Sequence, residues 1–384
     1  MRFEFSTATR ILFGSGGINS IGNLAIDVGK HPLIVSGVPD ELTNKLLDLL
    51  KSQELTFTCI KIDGEPTVDL IREFTDVAKS SFCDVVISIG GGSAMDAGKA
   101  VAAMLTNPGD INDYLEVIGL GKPISHVSAP FIAIPTTAGT GSEVTRNAVL
   151  GSTDQHVKVS LRSPFMLPRI ALVDPELAIN LPPYITAITG LDALTQLIEP
   201  YTCNSPNPLI DAICREGMIR VAKSLYRVYE NGQDLAARED MSLASLCGGL
   251  ALANARLGAV HGLAGPIGGE LPASHGAICA RLLPIVMQVN INSLIQRKPE
   301  NPVLQRYDEV GKILTGEPDA NAYDGIQWIQ CLCSRFSIQP LASFGLTPVN
   351  FPSLIEKSLK SSSMKGNPIE LTELEVETIL RNST

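Results

Sequence analysis

The sequence predicts two domains in series: an α/β domain on a parallel sheet over residues 1–181, then an all-helical domain over residues 182–384. Three observations carry this. A chain of 384 residues is too long for one compact core. Its first part alternates short β-rich runs with helical stretches, the signature of strand, crossover helix, strand. The character then changes at Leu181-Pro182-Pro183, beyond which β-rich runs nearly vanish.

In chain order, strands are predicted at Leu33 to Ser36, Thr56 to Lys61, Asp84 to Ile89, Phe131 to Pro135 and Ile170 to Asp174. Helical patterns separate several of them, at Glu41 to Ser52 and Thr67 to Ser80. The run DVVISI is nearly all apolar, as a strand covered on both faces requires. In the second part, helices are predicted over Ala187 to Tyr201, Pro208 to Tyr229, Leu235 to Ala255 and Ala280 to Asn292. Thr372 and Glu375 make a capping box ahead of a last helix, Glu373 to Leu380.

Composition excludes several classes of partner. A hydrophobic fraction of 45% with 18% charged residues is that of an ordinary globular chain. Apolar stretches such as Phe131 to Pro135 and Leu246 to Ala253 are short and broken by Gly or Pro, so no membrane span is expected. The start, MRFEFSTATRILFG, lacks the layout of a secretory leader. A net charge of −10 argues against nucleic acid or an anionic membrane as partner. Eight cysteines in so long a chain form no disulfide framework, and the Cys331/Cys333 pair reads as ordinary thiols on or near a helix. A reducing cytoplasm is the expected home.

The sharpest feature of the first domain is DVVISIGGGSAMDAGKAVAAML. A buried strand runs into Gly90-Gly91-Gly92-Ser93 and a helix follows. Glycines let backbone approach a phosphate, and a helix start offers unpaired N–H groups and a positive dipole end, which suits a dinucleotide pyrophosphate. The spacing fits neither a Walker loop nor G-x-G-x-x-G, and a tight turn without ligand fits the segment equally. A second loop, FIAIPTTAGTGSEVT, sets Thr136, Thr137, Thr140 and Ser142 among small residues after another buried strand. Ligands of open α/β sheets collect at such carboxyl ends, although Thr and Ser also favour loops for their own sake.

The chain has five histidines. His31, His126 and His156 read as solvent or loop residues. His261 and His275, each followed by Gly, stand in GAVHGLAGPIGGELPASHGA, whose small residues and Pro let the segment fold back and bring the rings together. Upstream, TGLDALTQLIEP sets Asp192 and Gln196 at i and i+4 on one helix face, with Glu199 continuing the stripe. One Asp and two His are suitable ligands for Zn²⁺, Fe²⁺ or Mn²⁺. Such an ion polarises a carbonyl and favours alkoxide over alcohol.

Together these segments resemble the iron-containing (group III) alcohol dehydrogenase family, from RILFGSGGINSIG to SSSMKGNPIELTELE. IGGGSAMDAGKA is similar to its pyrophosphate loop, AIPTTAGTGSEVT to its nicotinamide-side loop, and VKVSLRSP with IALVDPEL to the segment leading to the helical domain. The resemblance implies a dehydroquinate synthase-like architecture, a dinucleotide domain followed by a metal- and substrate-binding helical domain. It further implies hydride transfer between NAD(P)H and a small alcohol, aldehyde or ketone, assisted by a divalent metal in the interdomain cleft, in a homodimer or larger homo-oligomer. Carried over by position, Gly91, Gly92, Ser93 and Asp96 fall on the pyrophosphate loop. Thr136, Thr137 and Thr140 fall on the nicotinamide side, while Lys158 and Leu177 match cofactor-lining positions. Asp192, His261 and His275 match three of four metal ligands.

This chain departs from the family at three places. Gln196 stands where the fourth ligand is usually His, and is assigned as a metal or carbonyl contact. Gly265 replaces a further His four residues after His261. Gly37 closes the strand LIVS where NAD-preferring members carry an Asp for the ribose hydroxyl, so NADP(H) is expected to be accepted and favoured over NAD(H). The metal is expected to be Fe²⁺ or Zn²⁺. No general acid/base is assigned. Two alternatives stay open: a metal-independent reductase of the same fold, with Gln196 on the carbonyl oxygen, and a nucleotide-binding relative without catalysis.

Overall fold

The computed structural model describes residues 3–152 and 157–384, so His156 lies outside the described residues. The chain divides into two compact units. The α/β unit holds residues 6–137 and 141–179; the helical unit holds 180–384 with residues 138–140 and the N-terminal residues up to Phe5. The break therefore falls just before the predicted boundary, and a short piece of the second loop is counted with the helices.

The α/β unit contains β1 (Arg10–Phe13), α1 (Ile21–Ile26), β2 (Pro32–Ser36), α2 (Asp40–Lys51), β3 (Thr58–Lys61), α3 (Val68–Ser80), β4 (Val85–Gly90), α4 (Gly92–Thr106), β5 (Phe131–Pro135), β6 (Asn147–Ser152), β7 (Val157–Arg162) and β8 (Ile170–Val173). Six strands form one parallel sheet in the order β1-β8-β5-β4-β2-β3. β2, β4 and β5 are buried throughout, which is why their sequences are apolar at nearly every position, Ser36 and Ser88 apart, rather than at alternate ones. Alternate side chains serve the two faces. Leu33 and Val35 join Ile71, Phe74 and Val101 on the face covered by α3 and α4. Ile34 joins Ile21, Leu46 and Leu50 on the face covered by α1 and α2. β6 and β7 form a separate antiparallel hairpin.

Strand order places the ligand end of this sheet. The chain leaves β2 toward the edge strand β3 and leaves β4 toward β5, so connections diverge between neighbours β2 and β4. That divergence is the topological switch point where open α/β sheets bind ligands at their carboxyl ends. α4 lies tightly against the sheet there. A Cβ on Gly98 would come within 1.9 Å of Ser88 Oγ and 2.7 Å of the Phe131 ring, so only glycine permits the approach.

The helical unit contains α5 (Pro183–Thr202), α6 (Pro208–Glu230), α7 (Leu235–Asn254), α8 (Ala259–Glu270), α9 (His275–Arg297), α10 (Val303–Thr315), α11 (Ala322–Arg335), α12 (Phe351–Lys360) and α13 (Glu373–Ser383). α5 is buried along nearly its whole length and sits in the large core of this unit with residues of α6, α7 and α9. The Thr372/Glu375 capping box is formed as the sequence predicts. Two expectations are corrected. The segment between His261 and His275 is a helix, α8, and the chain folds back only over the short turn after Glu270. α9 begins at His275 rather than Ala280, and its 23 residues do reach the length and hydropathy of a membrane span, with 72% of the apolar window buried inside the protein. Cys331 and Cys333 both lie on α11, Cys331 exposed and Cys333 donating to Ala280 O.

Candidate active site

At the carboxyl edge of the sheet, four adjacent strands present the residues singled out from the sequence. Gly37 follows β2, and its N–H donates to Ile89 O of β4. Gly90 ends β4 at φ +152°, a value that favours glycine, and a Cβ there would lie 3.2 Å from Gly37 Cα. Gly91 is the N-cap of α4, with Gly92 and Ser93 in the first turn, and no side chain caps this helix start. Its leading N–H groups and dipole are thus left for an anion. Thr136, after β5, donates its N–H to Gly90 O, and Thr137 lies beside Gly91. Leu177 sits in the short turn after β8 and packs against the α1/α2 face.

Asp96, Lys158 and Thr140 are the remaining predicted cofactor residues. Asp96 accepts from Ser142 Oγ at 2.7 Å and from the Val149 N–H at 2.9 Å, with Lys99 Nζ at 3.2 Å. Its carboxylate therefore ties α4 to the second loop and hairpin. Lys158 is ion-paired with Glu65 at 2.7 Å on the hairpin. Thr140 belongs to the piece counted with the helical unit.

Lys99, which the sequence reading passed over, is the centre of this support. Fully buried, it donates to Ser142 O (3.1 Å), Ser142 Oγ (2.6 Å), Thr145 Oγ1 (3.0 Å) and Asn147 O (2.5 Å). Burial holds its pKa below the ordinary lysine value, against the pull of Asp96 and Glu143. Burial likewise pushes the Glu143 carboxyl up from 4.5 to about 7, its own backbone N–H and Lys99 acting the other way.

Glu143→Gln is consequently expected to stabilise the protein more at pH 8 than at pH 5. The folded state retains a proton on Glu143 up to about pH 7, whereas the unfolded chain loses it near 4.5. Stability falls as pH rises through that window and stays lowered above it. At about 1.4 kcal/mol per pKa unit, the loss relieved is on the order of 3 kcal/mol. Thermal melting of wild type and variant at both pH values checks this; an equal difference at the two would refute it.

The second constellation lies wholly in the helical unit. Asp192, in the middle of α5, is buried, and its Oδ1 has no hydrogen-bond partner. His261 Nε2 and His275 Nε2 each lie 3.7 Å from that oxygen. The two rings are 5.4 Å apart. Cys279, one turn beyond His275 on α9, brings Sγ to 3.6 Å from His275 Nε2. Ligand atoms of all four residues lie within 4.8 Å of one another.

Glu199, two turns after Asp192 on α5, holds this cluster from behind. Its Oε1 accepts from the Val260 N–H at 2.7 Å, and its Oε2 lies 2.6 Å from His261 Nδ1. A carboxylate there keeps the proton on Nδ1 and leaves the Nε2 lone pair facing Asp192. Burial alone would lower the His261 pKa, but Glu199 and then Asp192 raise it above the ordinary value. Gln196 turns its amide nitrogen to Asp192, and its buried Oε1 has no hydrogen-bond partner. Its amide nitrogen donates to Asp192 Oδ2 at 3.0 Å and to Gly139 O at 3.2 Å. Nothing within 4 Å would meet a Cβ on Gly265.

The donor set fits a divalent cation. Asp192 Oδ1 and His261 Nε2 are buried polar atoms without a partner, facing one another beside a second imidazole and a thiol. A buried orphan oxygen and nitrogen each cost stability unless something pairs them. A cation of the zinc or iron type, with its preference for N, O and S donors, is the species that satisfies them together.

Comparison with known proteins agrees in both units. The family described as iron-containing alcohol dehydrogenase matches residues 8–175, and the C-terminal part of the Fe-containing alcohol dehydrogenase family matches residues 186–384. Alcohol dehydrogenase 4 of Schizosaccharomyces pombe is 34% identical, over 97% of this chain and 87% of its own length. The fold superposes on a crystal structure of 1,3-propanediol oxidoreductase with TM-score 0.91 and 31% identity, covering 100% of both chains. A sulfoacetaldehyde reductase from Bifidobacterium kashiwanohense, solved with NAD⁺, gives TM-score 0.86 at 26% identity over 99% of this chain and 98% of that one. With both halves matched, the chain belongs to the iron-containing alcohol dehydrogenase family and is a nicotinamide-dependent alcohol oxidoreductase.

Proposed function

We propose that this enzyme reduces small aldehydes and oxidises the corresponding alcohols with NADP(H) in preference to NAD(H), using a divalent ion held by Asp192, His261 and His275. The single observation that carries the metal part is the convergence of these three ligand sets, with Asp192 Oδ1 and His261 Nε2 buried and unpartnered. A divalent ion there supplies Lewis-acid polarisation of the substrate oxygen. Asp192 provides the anionic charge that binds it. Glu199 fixes the tautomer and direction of His261, and Gln196 fixes Asp192 by donating to its other oxygen. In the α/β unit the uncapped start of α4 receives the pyrophosphate, while Lys99 and Asp96 hold the neighbouring loop in place. A bound nicotinamide would supply the hydride acceptor for alcohol oxidation at its C4, and the substrate hydroxyl would give its proton to solvent.

The preference for NADP(H) rests on Gly37. No carboxylate stands there to repel a 2′-phosphate, and Lys61 is paired in register with Ser36, one residue before it, with its ammonium bonded to Asp40. Kinetics with both cofactors and a panel of short-chain aldehydes tests the reading. A hundredfold preference for NADH would overturn it.

Gly37→Asp is expected to lower kcat/KM for NADPH by roughly 10–100-fold, since setting like charges together costs a few kcal/mol at most in a solvated site. NADH activity should change far less. A Cβ at position 37 meets Ala94 Cβ at 3.2 Å, so a small shift of α4 accompanies the change. Equal loss with both cofactors would mean that packing, not charge, is responsible.

A further inference from the structure

Cys279 is the one member of the buried cluster to which neither the sequence pattern nor the family match assigns a role. It is fully buried. Its position four residues after His275 on α9 sets both side chains on one helix face, which explains the 3.6 Å between Sγ and Nε2. Gln196, where a fourth ligand was expected, turns its amide nitrogen to Asp192, and its buried Oε1 has no hydrogen-bond partner. Its Nε2 is committed to Asp192 Oδ2 and Gly139 O. Reversing the amide would set its oxygen against a carboxylate and a carbonyl, so the orientation is fixed by chemistry. The amide oxygen then lies on the side of α7, 3.9 Å from where a Gly248 Cβ would be.

We propose that Cys279 supplies a sulfur ligand to the ion, making the centre an Asp192–His261–His275–Cys279 set with Gln196 as a hydrogen-bonding support outside it. This rests on the metal-binding reading above. On binding, the Cys279 S–H bond breaks and a sulfur–metal bond forms. The proton passes to solvent and no oxidation state changes. One carboxylate and one thiolate then balance a doubly charged ion, with two neutral imidazoles completing four donors. A thiolate tilts the preference toward zinc and away from harder ions, and zinc can expand from four donors of types N, N, O and S to five, which leaves room for the substrate oxygen.

The test uses the full chain, stripped with chelator and reloaded with Co²⁺ or Zn²⁺ alone. The cobalt form is expected to show a near-ultraviolet thiolate-to-cobalt charge-transfer band, lost in Cys279→Ser and retained in Cys331→Ser, whose thiol is exposed. X-ray absorption of the zinc form should show one sulfur at about 2.3 Å. Zinc affinity should fall about 100-fold in Cys279→Ser, the upper end of what loss of a supporting partner costs. Cobalt that binds with ligand-field bands but no charge-transfer band, or zinc with only nitrogen and oxygen neighbours, overturns the sulfur ligand while leaving the Asp–His–His reading intact. Protein that takes up neither ion overturns both, and elemental analysis shows this before any spectrum is read. Should Cys279→Ser fail to fold, the wild-type absorption spectrum and zinc edge decide alone.

Discussion

His261→Ala is expected to lower kcat/KM for aldehyde reduction by about a thousandfold, and to release the divalent ion on dialysis. Lewis-acid assistance is worth several kcal/mol, and about 4 kcal/mol is a factor of a thousand. His261 should matter more than His275. Its side chain is 7% exposed and pinned between Glu199 and Asp192, while that of His275 is 40% exposed, so water can replace the latter more readily. Removing His261 also leaves the Glu199 carboxylate with only the Val260 N–H. Glu199→Gln is the milder companion and should cost 10–100-fold in metal affinity, as outer partners of metal-bound histidines typically do. Metal content by elemental analysis, read beside kcat/KM, checks both. His261→Ala protein that is folded, free of metal and fully active would favour a metal-independent reductase instead.

How far the sequence discloses this centre depends on which helix boundaries it discloses. Asp192 and Glu199 were legible because α5 is apolar enough to reveal its period, and polar residues within it stand out. Cys279 was not. The apolar pattern placed the start of α9 at Ala280, whereas the helix begins at His275, so Cys279 fell outside the helix and its i, i+4 relation to His275 went unseen. The same spacing argument that singled out Gln196 would have found it. For Gln196, sequence gives the face a side chain shares but not which end of an amide turns toward the carboxylate.

The same limit governs the fold. Buried strands with apolar residues at every position were readable, but β1 is four residues long and mostly part-exposed, and only its pairing with β8 makes it a strand. α8 carries four glycines and a proline in GLAGPIGGE after His261, a composition that argues for a loop. Tertiary packing overrides it. A Cβ on Gly262 would lie 3.2 Å from Met364, so small residues let α8 lie close to the segment before α13. Lys99 is not singled out by any motif. Its setting gave the signal, a single cation in an alanine-rich helix three residues after Asp96.

Lys99→Met is expected to destabilise the α/β unit by about 3–5 kcal/mol, the usual consequence of removing one partner from a buried ionic network. The stem of Met fills similar space, so the loss is electrostatic rather than a cavity. Without the ammonium, Ser142 O and Asn147 O lose a donor, and Asp96 keeps only Ser142 Oγ and the Val149 N–H. Glu143 loses the one cation that lowers its pKa and becomes costlier to ionise. Adding Glu143→Gln should therefore recover part of the loss above pH 7, and less of it at pH 5. Lys99→Arg should not rescue, because a planar guanidinium cannot reproduce the compact ammonium in a fully buried site. The effect should be local at first. Lys99 bonds Ser142, Thr145 and Asn147 together, and Thr136 and Thr137 lie just upstream, so KM for the nicotinamide cofactor should rise before the unit melts. Hydrogen–deuterium exchange over residues 142–152 and chemical unfolding followed by circular dichroism measure the two consequences. A loss below about 1 kcal/mol, the range of an exposed ion pair, would show that the loop is held without Lys99.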